Sequence, residues 1–240
     1  PATDLLILAT KSYDLGANIE QLRPIITPKT IILPLLNGAD ITDQVQALLP
    51  GARVWDGCVY ISGRKPAPGE ILLEAERELF FFGERTEERT AEEKELAALL
   101  DSVRVHVINP DHIEEHIRKK FLMIPATATG TSFFNQTVGD ALKEHPTEMR
   151  QLIVELCQLF SAMGYDLGED AVERTIERQT FMIPTSTSSM HVDFMAGRPT
   201  ELENLTGYVV RAARSLGLSL PTYERMYHAL ATEPYSPAIH

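Results

Sequence analysis

The chain has 240 residues, of which 44% are hydrophobic and 23% charged, as is typical of a soluble globular protein with one large or two modest domains. Acidic residues outnumber basic ones by 34 to 22, the formal charge is −12, and no dense block of Lys and Arg is present. This composition argues against a nucleic-acid-binding protein and against one that binds an anionic membrane surface.

The two cysteines, Cys58 and Cys157, are far apart in the sequence and form no Cys/His cluster. We therefore expect reduced, buried thiols in a cytoplasmic protein and no metal site. No apolar run approaches the roughly 18 residues that a membrane helix needs, so no membrane partner is expected.

Short apolar runs alternate with helical stretches in the first half of the chain. The runs DLLILA (4–9) and TIILPLL (30–36) are continuous and of strand length, as expected for strands covered on both faces. Further strands are expected in 53–63, 69–74, 78–84 and 103–108, and helices in 18–22, 44–49 and 90–100. This alternation predicts an α/β layer structure.

Only helices are expected after Asn109, so we place a domain boundary there, between 1–108 and 109–240. The expected helices are 111–124, 146–163, 170–179 and 200–216. The last of these begins with a capping-box pattern, Thr200 followed by Glu203, and Gly217 is its expected stop.

A lysine interrupts the apolar face of the first of these helices. At about 100° per residue, the apolar side chains Ile113, Ile117 and Phe121 fall on one arc, and Lys120 lies close to its centre. The neighbouring Lys119 points to the polar side. Lys120 either extends from the edge of the face to water or lies in a cleft, where burial suits it to act as an acid or an anion anchor.

The stretch TSSMHVDFMAGRPTELENL (187–205) supplies polar partners for such a lysine. Glu201 is expected in the first turn of its helix, where the dipole alone favours a carboxylate, but it can also reach a cleft. Hydroxyls of Ser188 and Ser189 could bind a substrate carboxylate. Asp193 is a weaker candidate for the same site, and His191 is expected to be a loop histidine.

At these residues the chain resembles the ketopantoate reductases (2-dehydropantoate 2-reductases) of the broader 6-phosphogluconate-dehydrogenase-like group. The motifs are DLLILATKSYD, LLNG, IRKKF and SSMHVDFMAGRPTELENLTGYVVR, whose order and rough spacing match over essentially the whole chain. The resemblance implies a partial Rossmann-like sheet followed by a helical substrate domain. It also implies NADPH-dependent reduction of a small 2-keto acid to the 2-hydroxy acid.

The resemblance assigns roles residue by residue. Lys120 corresponds to the catalytic lysine that donates a proton to the ketone oxygen, and Glu201 to the carboxylate that holds the substrate hydroxyl. Ser189 corresponds to a contact for the substrate carboxylate. Asn37 and Lys11 correspond to residues at the junction of cofactor and substrate.

The glycine-rich GxGxxG turn with which the family begins is absent from the sequence. The chain resembles the family from about the fourth strand of the dinucleotide domain onward, so we expect either a truncated form of a longer enzyme or a protein that has lost its cofactor site. As given, it is expected to bind dinucleotide weakly or not at all, and the determinant of NADP against NAD lies in the missing part. The strand edge left exposed predicts self-association, for instance as a homodimer.

A second departure lies downstream of the catalytic lysine, where the family usually carries asparagines. Ile124 and Ala128 stand at the positions expected for those amides. Thr127 and Thr129 are candidates to replace some of the hydrogen bonding. Arg118 stands where the family often has a Trp before the lysine. These changes leave the reductase class intact but argue against ketopantoate itself as the substrate. We expect a reductase of ketopantoate or a similar small 2-keto acid, with two alternatives. The lost amides suggest a dehydrogenase of a different 2-hydroxy acid, and the missing glycine-rich turn suggests a non-catalytic relative that binds a ligand.

Overall fold

The computed structural model describes residues 3–61, 63–73, 78–86, 88–102 and 105–232. They form two compact units, one up to Lys119 and one from Lys120 onward. The first is an α/β unit and the second is entirely helical, which confirms the predicted fold class. The unit boundary lies inside a long helix, farther along the chain than the boundary predicted near Asn109.

In its described residues, the α/β unit contains short strands and three complete α-helices, together with the 3-10 turns Ser12–Asp14 and Arg23–Ile25. The strands are β1 (Leu5–Leu8), β2 (Ile31–Pro34), β3 (Arg53–Val54), β4 (Asp56–Tyr60), β5 (Gly63–Arg64), β6 (Leu72–Leu73), β7 (Leu79–Gly83) and β8 (Val107–Ile108). The helices are α1 (Leu15–Leu22), α2 (Ile41–Leu48) and α3 (Ala91–Ser102). Parts of the strands predicted at 69–74 and 103–108 lie outside the described residues.

The strands form a parallel sheet in the order β1-β2-β3, a mixed sheet in the order β4-β7-β8 and the β5–β6 hairpin. The single run expected over 53–63 is therefore divided among three strands. In β2, the consecutive side chains Ile32 and Leu33 are both buried and belong to separate core clusters, so this strand is covered on both faces as predicted. The same prediction fails in β1, where Ile7 is 45% exposed.

The helical unit is built around α4, which begins at Ile113 and runs past the unit boundary. The helices are α4 (Ile113–Phe134), α5 (Val138–Glu144), α6 (Pro146–Ala162), α7 (Ala171–Thr180), α8 (Ser189–Met195), α9 (Thr206–Ser215) and α10 (Pro221–Thr232). The predicted end of the first helix at 124 is wrong, because α4 continues through Pro125 to Phe134. Helices α5, α8 and α10 were not predicted. In the described part of the chain, no helix combines the length and the apolar character needed to cross a bilayer.

The predicted capping box is also wrong. Helix α9 begins at Thr206, so Glu201 lies in a turn before the helix and not in its first turn. The Glu203 carboxylate instead accepts a hydrogen bond from Arg211 at 2.7 Å, a tertiary contact that competes with capping. The predicted stop is confirmed, since Gly217 has a φ of 67° and closes the end of α9.

Candidate active site

Lys11 and Asn37 lie beyond the same edge of the parallel sheet. Strands β1 and β2 are paired so that Leu8 lies opposite Pro34, the last residue of β2. The N–H of Leu35 still donates to the Leu8 carbonyl at 2.8 Å, so the segments that follow β1 and β2 leave the sheet side by side. Lys11 and Asn37 follow shortly after, and both are half-buried. In open α/β sheets, this carboxyl edge is where dinucleotides and their substrates bind.

The two adjacent lysines of α4 occupy different environments. Lys120 is 8% exposed, whereas Lys119 is exposed and forms an ion pair with Glu115 at 3.0 Å, one turn earlier. The prediction that the helix separates them is therefore confirmed. The small exposed fraction of Lys120 argues against a side chain that extends from the edge of the apolar face into water. An ammonium with this burial is suited to act on a negative charge, because water screens it weakly.

Helix α4 is joined to α9 by a buried hydrogen bond and by a ring contact. The hydroxyls of Thr129 and Thr206 are 2.8 Å apart, and the ring of Phe121 packs edge-on against Tyr208 with centroids 5.3 Å apart. Phe121 directly follows Lys120, and Glu201 lies in the turn that leads into α9, where it is 4% exposed. The α4–α9 contact thus fixes the segments that carry both predicted catalytic side chains.

The first turn of α8 contains the two serines. Ser188 is the N-cap residue, and its hydroxyl accepts the N–H of His191 at 3.1 Å and lies 2.8 Å from the Thr131 hydroxyl. Its hydroxyl is therefore used within the unit. Ser189 is the first residue of the helix and is exposed, so it is the better placed of the two to contact a ligand.

His191 is not the loop histidine that the sequence predicted. It lies buried in α8, with Nδ1 2.6 Å from the Thr187 hydroxyl and Nε2 2.9 Å from Oδ1 of Asn135. Burial lowers the pKa of His191 below its usual value of 6.5, which favours the neutral ring. The sequence offered no signal for this contact, because the helix that Asn135 follows was predicted to end at 124.

Asp193 is buried and forms an ion pair with Arg198 at 2.8 Å, and the Arg198 N–H donates to the Asp193 carbonyl at 2.9 Å. These two contacts close the Gly-Arg-Pro turn that precedes Glu201. The Asp193 carboxylate therefore has a structural partner.

The threonines that were candidates to replace the missing amides have other partners. The Thr127 hydroxyl donates to the Met123 carbonyl at 2.9 Å and accepts from Gln179 at 2.9 Å, while Thr129 is bound to Thr206. Both hydroxyls thus join α4 to neighbouring helices, and their hydrogen bonding to a substrate stays a prediction. Ala128 is buried on the same helix and brings no polar group.

Comparison with known proteins adds to this geometry. The family model described as ketopantoate reductase PanE/ApbA matches residues 1–86, and the model of its C-terminal part matches residues 112–233. The chain belongs to the ketopantoate reductase family. Family members of known structure have a Rossmann-like N-terminal domain and a helical C-terminal domain, the fold class found here.

An uncharacterized oxidoreductase of Bacillus subtilis, YkpB, is 32% identical over 226 residues, which are 93% of this chain and 75% of that protein. A crystal structure of 2-dehydropantoate 2-reductase from Porphyromonas gingivalis is 42% identical, with a TM-score of 0.82 over 96% of this chain and 74% of that one. A D-mandelate dehydrogenase solved with NADH and anilino(oxo)acetate is 18% identical, with a TM-score of 0.85 over 97% and 77%, and shares the fold. The chain thus spans about three quarters of the length of these oxidoreductases.

Proposed function

We propose that the protein reduces ketopantoate or a similar small 2-keto acid to the 2-hydroxy acid with NADPH, and that Lys120 is the proton donor. The observation that carries the proposal is the burial of Lys120 at 8% exposure on α4, the helix that is hydrogen-bonded to the start of α9, shortly after Glu201. Membership of a family of oxidoreductases supports it.

The chemistry of the reaction accounts for the lysine. When the cofactor is bound, its nicotinamide supplies a hydride to the keto carbon. Negative charge then develops on the former ketone oxygen, and the Lys120 Nζ neutralises this charge by donating a proton as it forms. Lys11 and Asn37 would help to hold the cofactor, because they follow paired strands at the carboxyl edge of the parallel sheet.

The remaining polar residues orient the substrate in this proposal. The Glu201 carboxylate accepts a hydrogen bond from a substrate hydroxyl, and the exposed Ser189 hydroxyl donates one to the substrate carboxylate. Asp193 acts indirectly: its ion pair with Arg198 closes the turn before Glu201 and so helps to position Glu201.

The test is reduction of a panel of 2-keto acids by the protein as its complete gene encodes it, followed through oxidation of NADPH or NADH. We expect Lys120→Ala to lower kcat by roughly 100- to 10,000-fold, the usual contribution of proton transfer. The matched control is Lys119→Ala, which removes the same charge from the neighbouring exposed position and is expected to leave kcat within about twofold. Near wild-type turnover in Lys120→Ala would exclude the assigned role.

A second candidate is a dehydrogenase of a different 2-hydroxy acid. It is favoured by Ile124 and Ala128, apolar side chains at positions where the family usually has amides. A site lined by apolar side chains accepts a substrate that offers no further hydrogen bonds. A site lined by amides discriminates against such a substrate, because the amides would be left without partners. A higher kcat/KM for simple 2-keto acids than for ketopantoate would support this candidate over ketopantoate reduction.

A third candidate is a non-catalytic relative. Calorimetry that shows no binding of NADPH or NADH to the complete protein would support it.

We also propose a homodimer, since a neighbour of similar fold from Staphylococcus aureus is described as a dimeric ketopantoate reductase. Gel filtration with light scattering tests it, and a monomer at all concentrations would contradict it.

A further inference from the structure

Four helices of the described helical unit end in the same way. In α4, α6, α8 and α9 the last turn is closed by a residue with positive φ, and the next N–H donates back to a carbonyl five residues earlier. These bonds are Gln136 to Thr131 at 3.1 Å, Tyr165 to Phe160 at 3.0 Å, Arg198 to Asp193 at 2.9 Å and Leu218 to Ala213 at 2.9 Å. The positive-φ residue is Gly164 in α6, Gly197 in α8 and Gly217 in α9, but it is Asn135, with a φ of 53°, in α4.

Asparagine at this place requires an explanation, because the left-handed conformation is easiest for glycine. Among the described residues, Asn135 is the one non-glycine residue with positive φ. Its side chain has a specific use, since Oδ1 lies 2.9 Å from Nε2 of the buried His191, 56 residues farther along the chain.

The polarity of this bond follows from its partners. An amide oxygen only accepts, so His191 Nε2 carries the hydrogen, and in the neutral ring Nδ1 accepts from the Thr187 hydroxyl at 2.6 Å. The imidazole therefore links the end of α4 to the segment just before α8.

A second link lies one turn earlier on α4. The Thr131 hydroxyl is 2.8 Å from the Ser188 hydroxyl, which also caps α8 by accepting the N–H of His191. Helix α8 has only seven residues, and an isolated helix of that length is not stable in water. Its orientation therefore depends on tertiary contacts such as these two.

We propose that Asn135 and His191 form a positioning clamp that holds the first turn of α8, and with it Ser189, at a fixed place relative to α4. The proposal rests on the proposed function, because it matters for catalysis only if Ser189 contacts substrate and Lys120 on α4 donates the proton. Loosening α8 weakens the hold on the substrate carboxylate and leaves the proton donor in place. The clamp therefore controls the KM for the 2-keto acid more than kcat.

The decisive variant is Asn135→Gly, which suits the left-handed helix end and removes the side-chain acceptor for His191. We expect the KM for the 2-keto acid to rise roughly three- to tenfold, the loss of about one hydrogen bond. The kcat and the KM for NADPH are expected to stay within about twofold of wild type. Asn135→Asp retains an acceptor oxygen at the same place and is expected to restore the KM.

The matched control is Gly217→Asn, which creates the same left-handed asparagine at the end of α9. An added Cβ there meets nothing within 4 Å, so the variant tests the cost of the residue type alone. We expect an unchanged KM for the 2-keto acid. A rise equal to that in Asn135→Gly would overturn the proposal, since it would show that any disturbance of a helix end has this effect.

Hydrogen–deuterium exchange gives a readout that does not depend on activity. We expect the amides of 186–195 to exchange faster in Asn135→Gly and in His191→Leu, with α6 and α10 unchanged. If the wild type reduces no 2-keto acid, the proposed function fails while the exchange still tests the clamp. Unchanged exchange in both variants would overturn the clamp, and faster exchange with an unchanged KM in an active enzyme would overturn its role in positioning.

Discussion

Each of the two units buries a carboxylate almost completely, and the two carboxylates are stabilised by different kinds of partner. In the α/β unit, Asp56 on β4 is 1% exposed and binds the Arg85 guanidinium, with Nε 2.5 Å from Oδ2. In the helical unit, Glu155 on α6 is also 1% exposed and accepts the backbone N–H groups of Thr222 at 2.9 Å and Tyr223 at 3.0 Å, in the first turn of α10.

The difference shows that burial of a charge is not in itself a sign of catalysis. Asp56 is neutralised by a side chain that reaches solvent, and Glu155 by the unpaired amides at the start of a helix, where the dipole favours a carboxylate. Both have complete structural explanations. Lys120 differs from both in the sign of its charge and in its place on the apolar arc of α4, the helix that carries the proposed proton donor. The comparison predicts losses of stability at the two carboxylates and a loss of activity at the lysine.

The largest effect on stability is expected from Arg85→Met. This change leaves Asp56 buried with only the Thr42 hydroxyl as a side-chain partner among those described here, and we expect a loss of about 3 kcal/mol in the free energy of unfolding. Asp56→Asn is the matched control. It is expected to cost about 1 kcal/mol, because Arg85 is exposed and keeps its ion pair with Asp43 at 2.7 Å.

Urea unfolding followed by fluorescence measures both variants, since Trp55, the single tryptophan of the chain, is buried in the α/β unit. Equal losses in the two variants would show that the pair, and not the buried charge left behind, sets the stability. Such a result would contradict the prediction that the buried Asp56 charge, left without Arg85, is what destabilises Arg85→Met.

A smaller loss is expected from Glu155→Gln, about 2 kcal/mol, because the neutral amide accepts less strongly and presents an N–H group to a helix start that already has unpaired N–H groups. Removing the carboxylate also acts on Tyr223, whose pKa is raised well above its usual value by burial and, next, by Glu155. We therefore expect the pKa of Tyr223 to stay raised, but less so, in the variant.

Far-UV circular dichroism during urea unfolding measures the change at Glu155. The control is Glu173→Gln, which breaks the ion pair of Glu173 with Arg150 at 2.6 Å between two exposed side chains. Such surface pairs contribute less than about 1 kcal/mol. A loss at Glu173 as large as that at Glu155 would contradict the distinction between buried and exposed carboxylates.

Features set by local periodicity could be predicted from the sequence. The apolar arc of α4 separated Lys119 from Lys120, and the runs around β1 and β2 gave both strands to within two residues at each end. Gly217 was a correct stop because left-handed helix ends favour glycine whatever the tertiary context.

Features set by long-range contacts could not be predicted. Thr200 and Glu203 match a capping box, but Glu203 binds Arg211 and the Tyr227 hydroxyl, and the helix begins later. Helix α8 is too short to show a period, and the bond from His191 to Asn135 joins residues that nothing in the local sequence connects. The candidate site depends on contacts of this second kind.

The smallest effect is expected from pH, and it compares one histidine in each unit, the buried His191 and the half-buried His116. Burial lowers the pKa of His191 in the folded protein. The pKa of His116 is lowered by burial and, next, by the charge of Lys119. Both pKa values are therefore below the usual 6.5 in the folded state. Between the folded pKa and 6.5 the unfolded chain binds more protons than the folded chain. This contribution to stability is therefore fully present above pH 6.5 and is lost as the pH falls through this window.

His191→Gln should therefore make the stability of the helical unit less sensitive to pH between about 8 and 5. His116→Gln should do the same for the α/β unit. Hydrogen exchange of α8 and Trp55 fluorescence report on the two units separately. If either substitution changed the pH dependence of both units alike, these titrations would not be local to the unit that contains the histidine.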